Sequence, residues 1–74
     1  MAVENFKNTL IKYFQLDADL FWDIHDTLTH IDETNIDEDN LHLIHLATGM
    51  AWDRHAKLEN LMAKLKGRPN IYEI

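Results

Sequence analysis

The chain has 74 residues, 13 acidic and seven basic side chains, a net charge of -6, no cysteine and 46% hydrophobic residues. That balance is too apolar for a disordered tail, and the missing cysteines exclude disulfides and thiolate metal sites. No stretch nears the ~20 apolar residues of a membrane span, and the first residues lack a basic-then-apolar leader, so a single cytoplasmic domain is expected.

Val3, Phe6, Leu10, Tyr13 and Phe14 recur at three- and four-residue steps and predict a first helix over about 3–15. Asp17 is placed to cap a second helix over about 18–31, with Leu20, Phe21, Ile24, Leu28 and Ile31 as its stripe. The segment 32–39 is rich in the Asp, Asn and Thr that favour turns. A third helix is predicted over about 38–66: acidic residues at its start, Lys64 and Lys66 at its end, then Gly67 and Pro69. That is the order that matches a helix dipole and stops a helix. A tail over 68–74 carries Ile71, Tyr72 and Ile74. The fold class expected is all-α, three helices with the last the longest.

The two halves of the third helix differ. From Leu41 to Trp52 apolar residues lie nearly all the way round, which asks for cover on every side. Two helices of about 13 residues do not supply that cover and also that of the Leu58, Leu61, Met62, Leu65 stripe. A second copy of the chain is the simplest supplement, since symmetric dimers are the commonest oligomers. Gly49, Ala56 and Ala63 recur every seven residues and mark a line of close helix approach. They are the expected homodimer interface, against the alternative that this groove receives a helix of the same chain. The run Asp53, Arg54, His55 and then Lys57 begins a half expected to face water.

Charge is distributed unevenly. Ten acids stand against Lys7 and Lys12 in residues 1–40, and five basic residues against three acids after that. An acidic front repels phosphate, so direct nucleic-acid binding is not expected and a basic protein partner is. Asp19, Asp23 and Asp26 are the candidate partner-binding acids, with Trp22 and Trp52, which fall off the main stripes, as candidate anchors. The competing readings are a solvated acidic surface and tryptophans that complete the chain's own core.

The five histidines are the remaining chemical feature. His42 and His45, one turn apart, with a carboxylate or His25 would make a metal-binding helical protein. The chain lacks H-E-x-x-H and the paired E-x-x-H of di-iron bundles, so neither metal nor other cofactor is assigned. Serine and cysteine are absent and the only glycines are Gly49 and Gly67, so no catalytic residues are assigned either. Asp39-Asn40-Leu41, Asp53-Arg54-His55 and Glu59-Asn60-Leu61-Met62-Ala63-Lys64-Leu65 resemble segments of the small helical modulators of bacterial nucleoid proteins. Those proteins are more basic than the acidic front here, and no functional residue is carried over. The expected function is a small non-enzymatic interaction or regulatory protein. A metal-binding protein and a DNA mimic or nucleoid-protein modulator are the alternatives.

Overall fold

The computed structural model describes residues 2–73, and side chains from residue 3; Ile74 of the expected tail lies outside the described residues. It contains two helices and, among these residues, no strand: α1 (Ala2–Thr29) and α2 (Glu38–Leu65). Each has 28 residues, so each is about 42 Å long at 1.5 Å per residue. They pack as an antiparallel hairpin measuring 55 × 21 × 16 Å.

The three-helix expectation is corrected to two. Helix α1 runs unbroken through Gln15-Leu16-Asp17-Ala18, so Asp17 is an exposed mid-helix residue and not a cap. The physical reason is the absence of a breaker. Glutamine, leucine and alanine are good helix formers, and one mid-helix Asp costs only a few tenths of a kcal/mol. Ending the helix there would strand four carbonyls and four amides. Ala18 is completely buried, and the His55 Nδ1–H donates across to its carbonyl at 2.8 Å, which ties the middle of α1 to α2.

Side-chain caps close the ends. The Thr29 hydroxyl and the His30 Nδ1–H both donate to the Asp26 carbonyl and end α1. Asp37 accepts the Asn40 amide at 2.8 Å and starts α2. Its far end is a Schellman turn: the Arg68 amide donates to Ala63 and the Gly67 amide to Lys64, with Gly67 at φ 72°. In the loop, the Asp32 carboxylate accepts both the hydroxyl and the amide of Thr34.

The seam between the helices uses Ile11, Phe14, Ala18, Phe21, His25 and Leu28 against Ile44, Ala51, His55, Leu58, Met62 and Leu65, all buried or half-buried. It is one layer deep. The buried apolar residues among those described are four alanines and Met62, and no large side chain there is wholly removed from water.

Asp17→Ala should leave stability unchanged or raise it by up to about 0.5 kcal/mol, whereas loss of a real cap would cost about 1 kcal/mol; urea unfolding distinguishes the two. The Thr34 hydroxyl, and then its amide, hold the Asp32 carboxyl below its ordinary 3.8. A depressed acid stabilises the turn above the ordinary carboxylate range, and the contribution is lost as pH falls through the folded value. The Thr34 amide resonance should therefore titrate with a midpoint under 3.8.

Candidate functional site

The hairpin has two broad faces, and they differ in kind. On one, Trp22 and Trp52 come together with ring centroids 5.9 Å apart, and His25, His55 and Tyr72 complete the cluster. His25 stacks on Trp22 at 5.4 Å with its Nδ1 buried and unpartnered. Tyr72 meets Trp52 edge-on at 5.4 Å. Its segment is clasped by Asn60, whose Oδ1 accepts the amides of Ile71 and Tyr72 at 2.9 Å while Nδ2 donates to the Tyr72 carbonyl at 2.8 Å. Asn60 is 8% exposed, so a buried amide side chain substitutes for a strand partner and holds the chain end.

This contact redefines the small-residue line. Ala63 shares a cleft with Pro69, Asn70 and Ile71, and Ala56 lies one turn from both Trp52 and Asn60, the two residues that hold Tyr72. Ala56 is wholly buried and Ala63 nearly so. Both are already buried within the single chain, which leaves little of either to meet a second copy. Gly49 continues the line beyond the tail and lies open, with nothing within 4 Å of a Cβ built there.

His55 corrects a second expectation. It does not face water with Asp53 and Arg54 but is 8% exposed in the seam. Its step of four from Ala51 and of seven from Met62, both buried, is the signal that places it there.

The opposite face is apolar and uncovered. Helix α1 contributes Phe6, Tyr13, Leu20 and Ile24, and α2 contributes Leu43, Met50 and Leu61. Ile24 and Met50 line one cleft with Phe21, Ala47, Ala51 and Arg54, which places the two stripes side by side. Phe6 is 65% and Met50 68% exposed. Sequence periodicity found the α1 members, but two short helices would have hidden them in a three-helix core.

Of the other candidates, Asp19, Asp23 and Asp26 lie exposed on the Trp22 flank of α1. Gln15 donates to Asp19 at 2.8 Å, and Asp26 pairs with His30 at 3.5 Å. The histidine set is not brought together: His25 is in the aromatic cluster, and His45 donates to Glu33 at 3.0 Å across the loop. Among the described residues no group of three or more His, Asp or Glu side chains is arranged to hold a metal. In the same residues, no helix is long and apolar enough to cross a membrane.

Folding into a hairpin also re-sorts the charge. Residues 16–51, the half that carries the loop, hold nine acids and no lysine or arginine. The half that carries both chain ends holds all seven basic residues against four acids. Lys7 and Lys66, far apart in sequence, line one cleft there. The rod is acidic at one end and basic at the other.

No family model, curated protein or solved structure matches the chain.

Asn60→Ala should cost about 1–3 kcal/mol, since three hydrogen bonds converge on one buried side chain. Amide exchange at Ile71 and Tyr72 should rise towards that of an unfolded chain while exchange in the middle of α1 changes far less.

Proposed function

We propose that this is a small non-enzymatic interaction protein that works as a homodimer. Its open apolar face is the self-association surface, and its acidic loop half is the surface offered to a basic protein partner. One observation carries the proposal. The accessible surface is 5819 Å², whereas a compact monomer of 8.7 kDa exposes about 4,700 Å². The excess, about 1,100 Å² per chain, would make an interface of about 2,000 Å² when two copies meet, the size of a stable complex.

The shape supports the same reading. The radius of gyration is 15.8 Å, against about 11 Å for a compact chain of this length. A single layer of two helices lacks the second layer that domains ordinarily use to cover an apolar face.

The interface sits on the face opposite the clasped tail and not on Gly49, Ala56 and Ala63, because the last two are already buried within the chain. Trp22 and Trp52 belong to the tail face, where Asp19, Asp23 and Asp26 flank Trp22. A basic partner approaching that flank meets a partly exposed indole, and the acidic field speeds its encounter.

Sedimentation at micromolar concentration should give the mass of two chains. Leu20→Glu with Met50→Glu should give the mass of one, since each lost apolar anchor removes about 1.5–3 kcal/mol from the interface. Helical signal should persist in that variant because both side chains are already exposed in the single chain. A wild-type mass of one chain throughout the micromolar range would refute the dimer.

A further inference from the structure

From the charge order of the rod, we infer that the second copy binds antiparallel, so that the loop end of one hairpin lies beside the chain ends of its partner. The inference rests on the self-association proposed above and fixes its orientation.

Two observations carry it. The first is the separation of charge along the 55 Å axis: nine acids without a basic residue in the loop half, seven basic residues against four acids in the other. An antiparallel pair sets each acidic half beside a basic half, twice over by symmetry. A parallel pair sets the two loop ends, each with five acids over residues 32–39, side by side, whereas Asp19, Asp23 and Asp26 lie on the Trp22 flank and outside the contact.

The second is the length of the apolar face. It runs from Phe6 and Leu61 near the chain ends to Ile24 and Leu43 towards the loop. A two-fold axis across the middle of the rod therefore lays apolar on apolar along the whole contact, as a self-complementary interface requires. The product is a four-helix bundle. The clasped tails and the Trp22–Trp52 clusters remain on its two outer faces, available to a further partner. Charge separation thus selects one orientation from the two that hydrophobic burial alone would allow.

The chain has no cysteine, so a single spin label reports the orientation directly. Asn35→Cys puts it at the loop, on an exposed residue. In the antiparallel dimer the two labels occupy opposite ends of the rod, and pulsed dipolar spectroscopy should give roughly 40–50 Å, about the length of a 28-residue helix or slightly more. A separation under about 25 Å, two helix diameters, would overturn the antiparallel arrangement and leave self-association standing. No dipolar coupling, with a one-chain mass for the same labelled sample, would overturn self-association itself.

Discussion

Two helices packed only on each other bury one stripe apiece, and each stripe is narrower than the apolar surface this sequence supplies. A helix apolar on one side needs one neighbour, and a helix apolar nearly all round needs several. Helix α2 is of the second kind between Leu41 and Trp52, yet within the chain it has one helical neighbour and a short clasped tail. The seam that results is thin. Its buried apolar residues are mostly alanines, which contribute little transfer free energy, and Met62 is the one larger side chain among them.

The chain covers one face with its own end. Asn60 binds the backbone around Tyr72, and the aromatic ring then closes over Trp52 beside His55. Ala56 and Ala63 are buried on the same stretch of α2, and Ala63 lines a cleft with Pro69, Asn70 and Ile71 of the tail. Gly67 lets the chain turn sharply after α2 by accepting φ 72°, a conformation that favours glycine. The opposite face has no such segment. Its apolar residues are covered only in the proposed dimer, which makes the two faces unequal in role: one closed within the chain, one open for a copy of it.

The ends of α2 were legible in the sequence because caps are local chemistry: acidic residues at the start, of which Asp37 is the cap, and Gly67 at the finish. The course of α1 was less so. Asp17 is a good capping residue, and nothing local shows that the helix continues past it. Continuation depends on Ala18 and His55 meeting 37 residues apart, a contact that periodicity does not reveal. Gly49, Ala56 and Ala63 correctly mark a line of small residues, but spacing does not say what lies in a groove, and the tail was not expected there. The two tryptophans stood out as off-stripe, and the hairpin brings them together. Asn60 gave little warning, since a buried asparagine is recognised only once the backbone it holds is in place. Charge is uneven by halves of the sequence, and the hairpin sorts it further by halves of the rod.

The central claim is that this fold is completed by a second copy of itself, and the concentration dependence of thermal unfolding tests it most directly. A dimer that unfolds to separate chains is stabilised by mass action. The melting temperature should therefore climb steadily as the protein is raised from about 1 to 100 μM. A melting temperature that stays constant over that range, for a protein fully helical at the lowest concentration, would contradict the account.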